Sequence, residues 1–362
     1  MNLRQTNPVA MIDDLKALVE CESPTQDLAA CQRVIELANE ISKKVTGKSG
    51  EILDENGRPV FWLGSKNPKV VLLCHLDTVW PIGSFHPLWE AKGDIARGPG
   101  SYDMKAGFIQ ALYAMKDLDH GQVALIATTD EETGSATSRP LIERVSIGAS
   151  AVLVLESAID GKVKTGRKGT AMYTITVHGR AAHAGLEPEK GINATVEMAK
   201  IVDSLIKLAR PELGTTVVPT LLKSGTTTNT VPALATLEVD ARSFAISEME
   251  RVEKEIRSLK PSNADAKIEI TGGINRPPLE ESSTKELYEI CEKAAAKLGI
   301  KPIGCAVVGG ASDGNFAGIH TRVLDGLGAV GSGAHALTEN VSIPLMEERS
   351  RLLVEMVNEI LK

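Results

Sequence analysis

The chain has 362 residues, 43% hydrophobic and 24% charged, with 40 Lys+Arg against 47 Asp+Glu and a net charge of −7. That length exceeds one ordinary domain of about 100–200 residues, and a chain of this size buries enough surface to need no disulfide staples. The acidic balance disfavours whole-surface attraction to nucleic acid or anionic membrane, and only 3% of residues are aromatic, which leaves little for base-stacking platforms.

The start of the chain, MNLRQTNPVAMIDDL, has no basic region followed by an apolar run, so no signal peptide is expected and the cytoplasm is the default compartment. From Pro8 the apolar positions Met11, Ile12, Leu15, Leu18 and Val19 predict an amphipathic helix, and a second is predicted over 28–45. Residues 69–74 (KVVLLC) form a continuous apolar run, the pattern of a strand buried on both faces of a mainly parallel sheet. Helix follows over 105–115, then buried strands at 122–128 (QVALIAT) and 151–155 (AVLVL). The alternation of strand and helix makes this part α/β.

After Gly169 the pattern changes. Strands with polar alternation are predicted at 171–177, 217–222, 235–240 and 267–270, with helices over 191–209 and 247–259. The first pattern then resumes, with helix over 283–298, strands at 304–308 and 321–324, and a terminal helix over 343–361. The expected organisation is a discontinuous α/β domain (1–168 and 280–362) with an inserted α+β domain at 169–279. Apolar runs are too short to span a bilayer.

Acids and histidines stand where the buried strands end. His75 and Asp77 follow KVVLLC, Asp130, Glu131 and Glu132 follow QVALIATT, and Glu156 follows AVLVL. Asp103 lies in GPGSYDMKAG and His335 in GSGAHALTEN. In an open α/β sheet the carboxyl ends of the strands form the ligand crevice. Imidazole and carboxylate suit zinc, cobalt or manganese, and the cysteines (Cys21, Cys31, Cys74, Cys291, Cys305) are scattered without a CxxC pair. Two metals about 3.5–4 Å apart need a bridging carboxylate, and a further acid off the metals serves as general base. Of Glu131 and Glu132, one can hold metal while the other faces the water. Singly, each segment has a plainer reading: a loop hydrogen bond, a solvated acidic turn, a helix cap at Asp103, or a Glu156 ion pair with Lys162 or Lys164. Their joint placement favours one binuclear site.

The motifs LLCHLDTV, GPGSYDMKAG, TTDEETGS, TGRKGTAMYTITVHGRAAHAGLEPEKGINA, GGASDGN and AHALTE, in this order and spacing, resemble the M20 zinc peptidases, most closely their glutamate carboxypeptidase branch. The resemblance spans essentially the whole chain. It implies a zinc-exopeptidase-like sheet flanked by helices, with the insert acting as a lid that often dimerises. It implies that Asp103 bridges two zinc ions, with His75 and Glu156 completing one site and Glu132 and His335 the other. Glu131 would be the general base that activates the bridging water, and Asp77 would hold the His75 imidazole in its tautomer. Relatives often carry a cis peptide after the bridging aspartate, here Asp103–Met104. His183 (GRAAHAG) would stabilise the charge developing on the scissile carbonyl, supplied in dimeric relatives by the partner's lid together with Asn229. Arg276 would grip the substrate's free α-carboxylate through its planar fork. The plain readings are a turn histidine at His183, an exposed arginine before Pro277-Pro278 at Arg276, and a structural ion pair for Arg242.

The expected activity is removal of a C-terminal amino acid, glutamate in particular, from a small peptide. An N-acyl-amino-acid deacylase is the alternative within the same chemistry. Two other motifs compete. Residues 326–331 fit the dinucleotide pattern GxGxxG, but no convincing helix follows. Residues 310–314 fit the nucleophile elbow GxSxG, with Ser312, Asp325 and His335 in serine-hydrolase order. That reading leaves His75, Asp103, Glu131, Glu132 and Glu156 unexplained. A metal-binding protein without catalysis would have no use for Glu131.

Overall fold

A computed structural model describes residues 8–362; the first seven residues, at the head of the stretch read for a signal peptide and for the start of the α/β domain, lie outside the described residues. The chain forms two compact units. One takes the chain up to Gly166 with Leu279–Val308 and Ser312–Lys362, and the other is Arg167–Pro278 with Gly309–Ala311.

The first unit is α/β, as expected. Its six-stranded sheet runs in the order Glu51–Glu55, Arg58–Gly64, Val123–Thr128, Val70–His75, Ala151–Val154 and Val323–Leu324. The last four strands are mutually parallel. Val70–His75, Val123–Thr128 and Ala151–Val154 are buried at every position, so both of their faces must be covered. One apolar cluster includes Leu72, Leu125 and Leu153 with Phe108 and Leu353, and a second includes Val71, Leu73, Ile126 and Phe316. Fully burying each such side chain contributes about 1.5–3 kcal/mol, so the sheet is fixed by its Val, Leu and Ile content.

The antiparallel hairpin Glu51–Glu55 with Arg58–Gly64 was not expected. Its first strand, EILDE, is largely exposed and carries little apolar signal. The readable clue is Asn56-Gly57, whose φ values of 53° and 87° suit the tight turn between the strands.

The second unit is a four-stranded antiparallel sheet in the order Thr216–Ser224, Leu234–Ser243, Gly169–His178 and Lys267–Arg276. Helices Ala194–Ile206 and Ile246–Arg257 cover the face formed by Tyr173, Ile175, Leu237 and Val239. The strand predicted at 267–270 continues to Arg276 through Gly272 and Gly273. A Cβ at Gly272 would lie 2.1 Å from the Met172 carbonyl oxygen, so glycine permits the neighbouring strand's close approach there. No helix among the described residues is long and apolar enough to cross a membrane.

Candidate metal centre

Three of the parallel strands deliver side chains to one edge. His75 ends Val70–His75, the turn Glu131–Thr133 follows Val123–Thr128, and Glu156 follows Ala151–Val154. The registers His75↔Thr128 and Leu73↔Val154 set these ends level. Asp103 comes from the irregular turn Ser101–Lys105, entered through Gly100 at φ 68°, and the Asp103–Met104 peptide is cis. A small antiparallel sheet of Gly331–Ser332, Asn340–Ser342, Ile95–Arg97 and Glu90–Lys92 brings the His335 turn beside the loop that leads to Asp103. His335 takes φ 61°, a left-handed conformation costing a non-glycine residue about 1–2 kcal/mol. The turn around it is held by Ala336 N donating to Gly333 O and Glu339 N to Ala336 O, both at 2.9 Å.

Among the described residues two groups could hold a metal ion, His75–Asp103–Glu156 and Asp103–Glu132–His335, with the ligand atoms of each group within 4.8 Å of one another. Asp103 belongs to both. Its Oδ1 lies 3.3 Å from His75 Nε2 and its Oδ2 lies 3.4 Å from His335 Nε2. Glu156 Oε1 is 3.5 Å from His75 Nε2, and Glu132 Oε2 is 3.1 Å from His335 Nε2. The donors are oxygen and imidazole nitrogen, and three carboxylates converge on two histidines. That donor set and that concentration of negative charge fit a pair of divalent cations. Lys164 Nζ also lies 3.8 Å from Glu156 Oε2, so the ion pair weighed for Glu156 coexists with its place in the first group.

Asp77, fully buried, organises the group around it. Its backbone oxygen is 3.1 Å and its Oδ1 3.4 Å from His75 Nδ1, which keeps the proton on Nδ1 and turns Nε2 toward Asp103. The backbone N–H groups of Glu131 and Glu132 donate to its two carboxylate oxygens at 3.3 and 3.2 Å, and Thr25 Oγ1 donates at 2.7 Å. Asp77 therefore fixes the acidic turn as well as the histidine, a role its sequence position did not reveal. Sequence reasoning also passed over Glu339, whose carboxylate accepts hydrogen bonds from the loop carrying Asp103. The only signal for it is an acid four residues beyond His335.

The charges are strongly coupled. Burial opposes protonation of His75, yet its hydrogen bonds to Asp103, Asp77 and Glu156 outweigh burial and hold its pKa well above the usual value. Hydrogen bonds to Asp103 and Glu132 push His335 up to about 10. Burial works to raise Asp103, but the two imidazoles prevail and hold it below the usual carboxylate range. Burial raises Glu132, only partly offset by His335. Below these raised values both histidines carry protons that a metal must displace. Metal affinity should therefore weaken as pH falls. Zinc loading of the metal-free protein at pH 7 is expected to release protons. Calorimetry in buffers of different ionisation enthalpy measures this, and loading without proton release would contradict it.

The remaining candidate residues lie in the second unit. His183 is exposed, and its Nδ1 accepts from the backbone N–H groups of Gly185 and Leu186, both at 3.1 Å. In the neutral ring this places the proton on Nε2, which becomes an outward donor. Ala184 N donates to Asn229 O at 2.9 Å, so Asn229 sits beside His183. Arg276 is 6% exposed at the end of Lys267–Arg276, paired with Thr170, which corrects the reading of an exposed arginine before two prolines. Arg242 makes a two-bond pair with Asp240 at 2.9 and 3.0 Å, as its structural reading requires.

The elbow reading fails on geometry. Ser312 is fully buried and donates to Asp325 at 2.6 Å, while His335 Nε2 faces Asp103 and Glu132. Residues 326–331 run from the strand Val323–Leu324 into the strand Gly331–Ser332 with no helix, so the dinucleotide pattern lacks its phosphate-binding helix start.

A mainly parallel sheet whose carboxyl edge carries two imidazole–carboxylate groups around one shared aspartate suits a metal-dependent hydrolase. Comparison with known proteins gives the same class. Peptidase family M20/M25/M40 matches residues 71–359. Carboxypeptidase G2 from Pseudomonas sp. (strain RS-16) is 31% identical, over 97% of this chain and 89% of that protein. Succinyl-diaminopimelate desuccinylase from Sulfurovum sp. (strain NBC37-1) is 25% identical, over 96% and 98%. The structure of aminopeptidase PepT from Bacillus cereus ATCC 10987 superposes with a TM-score of 0.81 at 22% identity, covering 98% of this chain and 99% of that one. The chain belongs to peptidase family M20/M25/M40 and is a metallopeptidase or metal-dependent amidohydrolase.

Proposed function

We propose that the protein is a binuclear zinc carboxypeptidase that releases a C-terminal glutamate from a small peptide or N-acyl substrate in the cytoplasm. The observation that carries this is the sharing of Asp103 between two ligand groups while Glu131, the neighbouring acid, falls in neither. His75, Asp103 and Glu156 would hold one metal, and Asp103, Glu132 and His335 the other. Cobalt or manganese would suit the same oxygen and nitrogen donors. When bound, the cations polarise the scissile carbonyl and lower the pKa of water at the site. Glu131 accepts a proton from the attacking water and returns it to the departing amine. Asp77 keeps the Glu131 backbone in place for both transfers. His183 Nε2–H donates to the carbonyl oxygen as negative charge develops there. Asn229 adds a polar contact, and Arg276 receives the α-carboxylate in a bidentate grip. The five free thiols suit a reducing compartment.

A homodimer through the second unit is part of this proposal. Arg276 pairs with Thr170 at one end of the strand Gly169–His178, while the His183 loop leaves from the other end. At ~3.3 Å per residue, Thr170 and His178 are about 26 Å apart, so one small substrate is not spanned by His183 and Arg276 of one unit. A second copy would supply His183 and Asn229. The edge strand Thr216–Ser224 offers exposed Val218, Leu221 and Leu222 for such a contact. A deacylase acting on N-acyl amino acids is the second reading, favoured by the similarity to the desuccinylase.

Kinetics on dipeptides and N-acyl amino acids ending in Glu, Asp or Leu, with added zinc, test the substrate. Glutamate is expected to exceed leucine in kcat/KM, and Arg276→Ala to lower kcat/KM by about 30-fold or more on every substrate of the panel, because all carry the α-carboxylate and a desolvated charge pair left unmade costs about 2 kcal/mol or more. Equal wild-type rates across the panel would remove the glutamate preference, and wild-type kcat/KM in Arg276→Ala would remove Arg276 as the carboxylate grip.

A further inference from the structure

We propose that Glu339 is a positioning residue of the metal centre, whose carboxylate clamps the backbone of residues 100–103 and so fixes where Asp103 stands relative to His335. The inference rests on the reading of Asp103 as a ligand shared by two metals. Glu339 is 1% exposed. Its Oε1 accepts from Tyr102 N at 2.9 Å and Asp103 N at 3.0 Å, and its Oε2 from Gly100 N at 3.0 Å and Trp80 Nε1 at 3.1 Å.

This clamp answers a local need. Gly100 is left-handed, and Asp103 (φ −120°, ψ 87°) and Met104 (φ −138°, ψ 33°) are not helical. In such a segment no regular ladder collects the amides. Ser101 N reaches Gly98 O at 3.2 Å and Lys105 N reaches Gly100 O at 2.9 Å. The amides of 100, 102 and 103 go to Glu339 instead, as charge-assisted bonds with directional demands on both oxygens. Glu339 also belongs to the turn that carries His335, through Glu339 N donating to Ala336 O at 2.9 Å. One carboxylate thus joins the arm bearing Asp103 to the arm bearing His335, whose ligand atoms stand 3.4 Å apart. Glutamine cannot replace it. Each oxygen faces two donors, so whichever becomes NH2 confronts two N–H groups.

The test compares wild type, Glu339→Gln and Trp80→Phe by zinc competition with a chromophoric chelator and by steady-state kinetics. Wild type is expected to bind two zinc ions. In Glu339→Gln one of the two affinities is expected to fall about 10- to 100-fold, the scale for groups that orient metal ligands, with kcat reduced and KM within about 3-fold. Trp80→Phe keeps the three backbone bonds and is expected to hold both affinities within about 3-fold of wild type. Wild-type affinities in Glu339→Gln, or equal losses in both variants, would overturn the clamp. Fewer than two zinc ions on wild type would instead overturn the binuclear reading beneath it. Should Glu339→Gln not fold, amide exchange in metal-free wild type decides. The Gly100, Tyr102 and Asp103 amides are expected to be protected like those of the strand Val70–His75, and exchange at free-loop rates would contradict the proposal.

Discussion

Glu131→Ala is expected to lower kcat by about 10²- to 10⁴-fold while leaving the bound metal unchanged, the range a positioned general base contributes. The two effects separate because Glu131 is outside both ligand groups, although it adjoins Glu132 in the turn Glu131–Thr133. Its backbone N–H is tied to Asp77, and it is 8% exposed, so truncating the carboxylate leaves the turn's anchor in place. KM should change little, because the proton transfer belongs to the transition state. Glu131→Gln, nearly the same shape, should lose as much. The check is kcat beside metal content by elemental analysis. Activity within about 3-fold of wild type at full metal content would remove Glu131 as the base.

The second large effect is expected at Asp103. It is the one residue common to both ligand groups, and its two oxygens each face a different histidine. Asp103→Ala removes an anionic donor from both groups at once. Zinc content should fall well below that of wild type, and kcat/KM should drop by about 10⁴-fold or more, since the metals supply several kcal/mol of charge stabilisation. His335→Ala is the informative control. It spoils only the group with Glu132 and leaves His75, Asp103 and Glu156 intact, so about one zinc per chain should remain. Equal zinc content in Asp103→Ala and wild type would contradict the shared-ligand assignment.

Much of the parallel sheet was legible because strands buried on both faces must be almost wholly apolar. Residues 69–74, 122–128 and 151–155 have no other use for so many Val, Leu and Ile. The polar residues that follow them were legible for the same reason, since the chain leaves the core there. The hairpin from Glu51 to Gly64 was not, because an exposed edge strand needs no apolar content and only Asn56-Gly57 marks it. Glu339 and the wider role of Asp77 were hidden for a different reason. Both act on backbone N–H groups of other segments, and a backbone partner leaves no trace in residue identity. The plain reading of Arg276 as exposed failed, because two following prolines suggest a loop while the strand Lys267–Arg276 carries it into a buried position. His183 and Asn229 came from motif resemblance alone, and only the fold shows that a backbone bond from Ala184 to Asn229 sets them side by side.

The most direct measurement strips the protein with a chelator, returns zinc in steps, and follows hydrolysis of an N-acyl glutamate alongside bound metal. The metal-free protein should be inactive, and activity should climb to its plateau as two zinc ions per chain are taken up, with Glu131→Ala binding the same two and staying inactive. Full hydrolysis by the stripped protein would contradict a metal-dependent centre at His75, Asp103, Glu132, Glu156 and His335.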